Sequence, residues 1–359
     1  MSFYFAIFGI LSFFSFIEIS GLKDKQRKIT FIGFSLFMFV LSFIRWEVGT
    51  DWEAYYSFFQ HSIEFGTESE FEWGFSRINE FVKIFFDNYS VLLFVLGAIL
   101  FAFQTSAIYK LSLYPITSLL FLWSVSFGNA MFIRQSIATA ILFYSITLII
   151  DRKFWGFMLC VGLAMLFHRT SLIFIPAWWL YRIKIRPRWL WIGIGISIVL
   201  TAVIKILLES ISGALGPIVQ AKLDVYLSDS GETFGAEASL IQIIIKGFAN
   251  KILIFIALML FYKTIIKDYL PYRGLVNIYW FGIILYFSTI GISVAMVRLS
   301  FAYDILQIVL VPLIFNYIQK KESKILIFSV FLIYLLMRLY VALVSNYYEM
   351  FVPFKTIFE

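Results

Sequence analysis

The sequence predicts an all-α, polytopic membrane protein, a single integral membrane domain over residues 1–359. Three observations carry that reading. The chain is 61% hydrophobic and 14% charged, whereas a soluble domain carries roughly 25% charged residues. Apolar runs recur from end to end, with a mean hydropathy of +0.90, so no attached soluble domain is expected. Finally, the cations gather in alternate loops, the pattern of a chain threaded repeatedly through a bilayer.

In chain order the apolar runs predict about twelve spans, at 2–20, 29–44, 89–108, 116–133, 135–150, 154–168, 171–181, 189–208, 241–262, 275–297, 299–318 and 325–345. Several fall short of the ~20 residues that a full crossing prefers. Those at 116–133, 135–150, 154–168 and 171–181 are expected to be tilted, broken or re-entrant over a water-filled cavity. The first run has no basic region before it, so a cleavable signal peptide is not expected. The lone cysteine, Cys160, excludes an intramolecular disulfide and makes redox chemistry a poor fit.

Orientation follows from short cationic loops. Lys23, Lys25, Arg27, Lys28, Lys110, Arg152, Lys153, Arg182, Lys184, Arg186, Arg188, Lys263, Lys267, Arg273, Lys320, Lys321 and Lys324 make up seventeen of the 29 cations. By the positive-inside rule they face the cytoplasm, which puts both termini outside. The net charge of +7 therefore reads as anchoring, and no nucleic-acid partner is expected.

Two longer segments then face outward. Residues 45–88 hold nine carboxylates, and Phe71, Phe75, Ile78, Phe81, Val82 and Phe85 recur at helical spacing. That spacing predicts an amphipathic helix on the membrane surface. Residues 209–240, with Gly213, Gly216-Pro217 and Asp229-Ser230-Gly231-Glu232, read as a flexible loop. It is either an outer lid or a plain connector.

The chain is organised around Arg45-Trp46-Glu47-Val48-Gly49-Thr50-Asp51-Trp52-Glu53-Ala54-Tyr55-Tyr56, directly after the run Ile29 to Ile44. Trp, Tyr and Arg collect at membrane surfaces as plain anchors. An anchor has no use for three carboxylates around a Gly-Thr-Asp turn, so this stretch also reads as one wall of an outer active site.

Cations are unexpected on the outer side, yet Arg45, Arg134 with Gln135, His168-Arg169-Thr170 and Arg298 lie there. Lys205, Lys246 and Arg338 fall in outer halves of spans, and Lys251 nearer the middle. Any one of them can be a snorkelling side chain. Together they are costly, and only Glu18 and Asp304 offer carboxylates within spans to pair with them. The excess points to an anion arriving from elsewhere. A guanidinium fork suits phosphate oxygens, and a lipid pyrophosphate would enter from the bilayer. No P-loop, dinucleotide fingerprint or zinc spacing occurs, with His61 and His168 the only histidines.

These residues resemble the Wzy-type O-antigen and exopolysaccharide polymerases, in their EpsG-like branch. Arg45 through Val48-Gly49-Thr50-Asp51 to Tyr55 is similar to that branch's Arg…Val-Gly-Thr-Asp-Tyr…Tyr signature, with Trp52 where Tyr is usual. Glu72-Trp73-Gly74-Phe75 resembles its Glu-Pro-Gly-Phe, with Trp73 replacing Pro. Ile133-Arg134-Gln135…Ala138, Ala164…Phe167-His168…Ser171 and Arg298…Tyr303 resemble three further elements, in order along the chain.

The resemblance implies a C-type glycosyltransferase of the bacterial plasma membrane. It would join undecaprenyl-pyrophosphate-linked repeat units into O-antigen, capsule or exopolysaccharide at the outer face, alongside flippase and chain-length regulator proteins. Arg45, Arg134 and Arg298, then Arg169 and Arg338, would neutralise the departing pyrophosphate. Asp51 or His168 would be the base. Glu47, Glu53, Tyr55, Glu72, Gln135 and Tyr303 are candidate substrate contacts. No cofactor is expected, although Asp51 with Glu53 offers a carboxylate pair for a divalent cation. The rivals are a flippase or transporter for the same lipid-linked sugar, and a membrane acyltransferase acting on polysaccharide. A transporter would show repeat symmetry and charges near mid-bilayer; an acyltransferase has only His168 to support it.

Overall fold

The computed structural model describes residues 1–65, 71–131, 133–212, 240–292, 294–344 and 348–359. Helices dominate, and the only bridge between extended segments among these residues is Arg45 with Thr356. Among the described residues, seven helices are long and apolar enough to cross a membrane: Ser2–Gly21 (α1), Asp24–Ile44 (α2), Tyr89–Leu111, Pro187–Ile204, Ile241–Leu260, Pro271–Ile290 and Lys321–Leu343. An eighth arises if Met296–Asp304 and Gln307–Tyr317, bent by 42°, form one span. The expected all-α polytopic class is therefore present, with fewer full-length spans than the apolar runs suggest.

Local chemistry explains the difference. The run at 116–133 is helical only over Pro115–Ser126, because Phe127, Gly128 and Asn129 all take left-handed backbone, with φ of 51°, 69° and 61°. Only glycine adopts that region without strain, so three such residues in succession end a helix. The run at 154–168 is helical over Phe154–Met165, and 171–181 is a 3₁₀ turn, Arg169–Phe174, followed by the four-residue helix Ala177–Leu180. The run at 135–150 is one short apolar helix, Arg134–Ile150.

Two compact units divide the chain: Met1–Leu172 with Val311–Glu359, and Ile173–Leu310. In the first, α1 packs on Pro115–Ser126, and α2 on Tyr89–Leu111. The buried stripe of α1 (Tyr4, Ile7, Phe8, Leu11, Ser15, Glu18) has the spacing of one helix face. Glu18 does not meet an intramembrane cation, as its isolation suggests it should. It accepts from Ile116 N (3.0 Å), Thr117 N (2.8 Å) and Thr117 Oγ1 (2.8 Å). That carboxylate satisfies amides that the first turn of a helix leaves unpaired.

In the second unit Pro187–Ser212 packs on Pro271–Ile290. Lys251 sits in a π-helical stretch, Phe248–Ile252, and pairs with Asp304. The same ammonium donates to Ser300 Oγ at 3.0 Å, and Ser300 Oγ donates to Asp304 Oδ2 at 2.8 Å. Asp304, one of the two carboxylates within spans, thus answers Lys251. Of the segment 209–240, expected to face outward, residues 213–239 lie outside the described residues, as do Glu68 and Glu70 of 45–88 and the side chain of Lys205.

Candidate functional site

The helices of the first unit are numbered onward from α2: Trp52–Phe65 (α3), Trp73–Phe85 (α4), Tyr89–Leu111 (α5), Pro115–Ser126 (α6), Arg134–Ile150 (α7) and Phe154–Met165 (α8). The amphipathic helix expected in 45–88 is α4. It buries Phe75, Asn79 and Val82, and presents Phe81, Ile84 and Phe85 outward. A helix with apolar groups on its outer side as well suits an interfacial seat.

The loop between α2 and α3 is built on Arg45. Arg45 is 2% exposed, and its guanidinium donates to backbone carbonyls. Nε donates to Ser42 O (3.2 Å), and Nη1 donates to Val48 O and to Met131 O (3.1 Å). Met131 reaches that position because α6 ends in its left-handed triplet just before. Burial pulls the Arg45 guanidinium below its ordinary pKa, although arginine remains charged in proteins. The chain's last residues brace the loop from behind. Trp46 N donates to Lys355 O (3.0 Å), Gly49 N to Met350 O (2.9 Å) and Ile357 N to Ile44 O (2.8 Å). Gly49 is obligatory: its φ is +119°, and a Cβ there would lie 2.7 Å from Met131 O and 2.9 Å from Arg45 Nη1. Glu47, also left-handed at φ 53°, pairs with Lys355 across 2.7 Å.

In front of this loop runs a continuous hydrogen-bonded chain. Tyr55 Oη donates to Asp51 Oδ2 (3.2 Å) and accepts from Arg134 Nε (3.0 Å). Arg134 Nη1 donates to Glu72 Oε2 (2.6 Å), and Glu72 Oε1 accepts from the Arg169 amide (3.3 Å). Five residues from four separate motifs thus meet within one unit. Helix geometry explains the first link, since Asp51 and Tyr55 stand one turn apart at the start of α3. Arg134 is the first residue of α7, where the helix dipole opposes a cation, so the Glu72 carboxylate offsets both charges. The rings of Phe71, Tyr55 and Phe75, 4.4, 5.2 and 5.8 Å from the guanidinium, hold it by cation–π contact.

Burial pushes the Tyr55 hydroxyl up to about 12, an effect the nearby Arg134 moderates and Asp51 reinforces. Tyr55 is therefore a neutral donor to Asp51 throughout the working range. Gly74 lets α4 dock: its amide donates to Leu166 O (2.9 Å), and a Cβ there would sit 2.7 Å from Leu166 Cβ. That contact sets Glu72 beside the turn His168-Arg169-Thr170. His168 Nδ1 lies 2.8 Å from Thr170 Oγ1, and Ser171 Oγ donates to His168 O (2.7 Å). Gln135, next to Arg134, is half-buried; Asp51, Glu53 and Arg169 are exposed. Among the described residues no group of three or more His, Cys, Asp or Glu side chains forms a metal cluster.

The remaining candidates lie on other elements. Arg298 and Tyr303 belong to the second unit, where Arg298 is exposed and Tyr303 is buried, donating to Ile173 O. Arg338, on Lys321–Leu343, donates to Tyr334 Oη at 3.0 Å. The expectation of unpaired outer cations is corrected accordingly. Glu72 neutralises Arg134, and backbone carbonyls satisfy Arg45, two kinds of partner that a count of carboxylates within spans overlooks. Sequence reading also missed the role of the last residues and an aromatic cluster, Trp46, Trp52, Tyr56 and Tyr89. Its only trace in the sequence is the density of aromatics after Arg45.

The fold and this loop-borne constellation define a multi-pass helical membrane protein with a polar site at helix ends. The chain belongs to the EpsG family, which it matches over residues 28–356. That family is associated with polysaccharide polymerase activity. No curated protein and no solved structure matches the chain.

Proposed function

We propose that this protein is a polysaccharide polymerase joining undecaprenyl-pyrophosphate-linked repeat units at the outer face of the bacterial plasma membrane. The observation that carries the reading is the chain Asp51–Tyr55–Arg134–Glu72–Arg169. It sets a carboxylate, a neutral hydroxyl and a guanidinium side by side at helix ends. In the transfer, an acceptor sugar hydroxyl attacks the anomeric carbon of the donor chain. The bond from that carbon to the phosphate oxygen breaks, pyrophosphate departs with the electron pair, and the acceptor proton passes to Asp51.

Arg134 and Arg169 offset the charge that develops on the leaving group, the task that preorganised cations do best in a water-poor site. Glu72 aims Arg134 between turnovers. Arg45, sealed behind the loop, contributes its field rather than a direct contact. His168 positions the sugar or phosphate. Glu47, Glu53 and Gln135 are candidate sugar contacts, and Arg298, Tyr303 and Arg338 rest on their motifs or their charge alone. Flippase and chain-length regulator proteins are the expected partners.

The competing transporter reading has one observation in its favour, the Lys251–Asp304 pair within a helical span. A strain lacking this protein separates the two. Loss of polymerase leaves single repeat units on the carrier at the outer face, with long polymer gone. Loss of a flippase leaves those units at the inner face. Unchanged polymer would overturn both readings.

A further inference from the structure

An aromatic cluster gathers on α3 beside the proposed chemistry. Trp52 and Tyr56 stack at 4.9 Å, one helical turn apart, with their rings tilted by only 15°. Trp46 meets Trp52 edge-on at 5.0 Å and Tyr56 at 5.7 Å. Tyr89, the first residue of α5, closes the group edge-on against Trp52 (5.6 Å) and Tyr56 (5.1 Å). Packing alone would account for rings. It does not account for two of their polar atoms. Trp52 Nε1 and Tyr89 Oη are buried and have no hydrogen-bond partner among the described residues. Trp52 is 9% exposed and Tyr89 4%.

A buried N–H or O–H left unpaired costs free energy, and folded proteins keep few of them. Phenylalanine at Tyr89 would give the same ring without that cost, and an apolar side chain at Trp52 would fill the core without a donor. Retaining both donors in one cluster is the mark of a site that receives an acceptor. The ligand must also match flat π faces, since both donors belong to rings of the cluster. A pyranose has both features: an apolar C–H face that lies on an aromatic ring, and hydroxyl oxygens at its rim. A phosphate has no face for the rings, and an acyl chain has no acceptor for the donors. The cluster adjoins the proposed chemistry through α3, where Asp51 and Tyr55 alternate in sequence with Trp52 and Tyr56. Its rim is formed by Trp46 and Tyr56, both half-buried, and exposed Glu53 follows Trp52 directly.

We infer that Trp46, Trp52, Tyr56 and Tyr89 form a saccharide subsite in which Trp52 Nε1–H and Tyr89 Oη–H donate to hydroxyl oxygens of one pyranose ring. The inference rests on the polymerase reading for its biological setting, but not for its geometry. Rotation of the rim rings, Trp46 and Tyr56, uncovers the two donors to the sugar. The subsite thereby holds a residue of the repeat unit beside Asp51.

The test uses the purified full chain in detergent and a panel of methyl glycosides: glucoside, galactoside, mannoside, rhamnoside and N-acetylglucosaminide. Saturation-transfer NMR and tryptophan fluorescence report binding. At least one glycoside is expected to bind. Tyr89→Phe should weaken it by about tenfold, because it removes one hydrogen bond and keeps the ring, and Trp52→Phe by at least as much, because it removes the donor together with part of the stacking face. Tyr89→Phe should melt at or above the parent temperature, since an unpaired donor is deleted. Binding by none of the five, or unchanged affinity in both variants, would overturn the inference, and the second result would assign the donors to trapped water. Failure of the polymerase reading looks different: glycosides still bind and respond to both variants, while the deletion strain makes normal polymer.

Discussion

Arg134 Nη1 stands 2.6 Å from Glu72 Oε2, and these two residues lie 62 positions apart in the chain. The side chains are 22% and 11% exposed. Exposed ion pairs contribute at most about 1 kcal/mol, whereas stranding one partner of a buried pair costs about 3–5 kcal/mol. This pair falls between those limits. Glu72→Gln or Arg134→Gln alone should lower stability by about 2 kcal/mol, measured as detergent-state melting. The double variant should cost much less than the sum. Additive losses would show that the pair is not an energetic unit.

The three motif arginines should separate in their lysine variants. Arg45 is held by three backbone carbonyls from two segments, and a lysine ammonium cannot span them in the same plane. Arg45→Lys is therefore expected to reduce the amount of folded protein. Arg134→Lys and Arg298→Lys should leave abundance normal and shorten or abolish polymer. Immunoblot abundance beside polymer length decides this. Full abundance of Arg45→Lys with lost polymer would return Arg45 to the role of a direct ligand.

Gly49 and Gly74 should tolerate no side chain. Each added Cβ would meet backbone or buried atoms at 2.7 Å, and Gly49 also carries a φ of +119°. Overpacking typically costs 1–3 kcal/mol and the unfavourable φ about 1 more, so Gly49→Ala should cost roughly 3 kcal/mol. Gly162 makes a clean control, because nothing lies within 4 Å of the position its Cβ would take. Comparable melting of Gly49→Ala and Gly162→Ala would contradict the close approach.

Lys251 and Asp304 form the buried pair of the second unit, 7% and 15% exposed. Lys251→Met strands a carboxylate and Asp304→Leu strands an ammonium, each costing about 3–5 kcal/mol. The double variant, apolar on both sides, should recover most of that loss. A double variant that stays stable yet loses polymer would mark the π-helical turn at Phe248–Ile252 as functional rather than structural.

How much of this was legible in the sequence depends on how local each cause is. Hydropathy fixes the membrane class because each span is recognisable within one window, and the α4 periodicity is equally local. The number of full spans was not legible, because a left-handed triplet at Phe127, Gly128 and Asn129 leaves no mark in an apolar average. The motifs were visible, but their pairing was not. Nothing in Glu72-Trp73-Gly74 announces that it docks on Leu166 and thereby meets Arg134. Glu18 shows the same limit: its carboxylate caps a helix 98 residues away. The last residues, which brace the Arg45 loop through backbone amides and carbonyls, carry no side-chain signature at all.

Asp51 is exposed at the start of α3 and accepts from Tyr55, whose hydroxyl burial pushes to about 12. Tyr55 therefore keeps its proton and cannot itself take one from an acceptor sugar at neutral pH. His168 is half-buried and spends Nδ1 on Thr170, an arrangement that orients its ring. The pH profile is therefore expected to show no basic limb from Tyr55 below its ordinary 10. Single-turnover rates with lipid-linked repeat units provide the measurement. Asp51→Asn should fall by about a thousandfold, within the 10²–10⁴ range of a lost general base. His168→Ala should retain a few per cent of the rate and raise the substrate requirement. Tyr55→Phe should cost about tenfold, since it removes one donor from Asp51 and one acceptor from Arg134. Near-normal turnover in Asp51→Asn, with His168→Ala inactive, would transfer the role to His168.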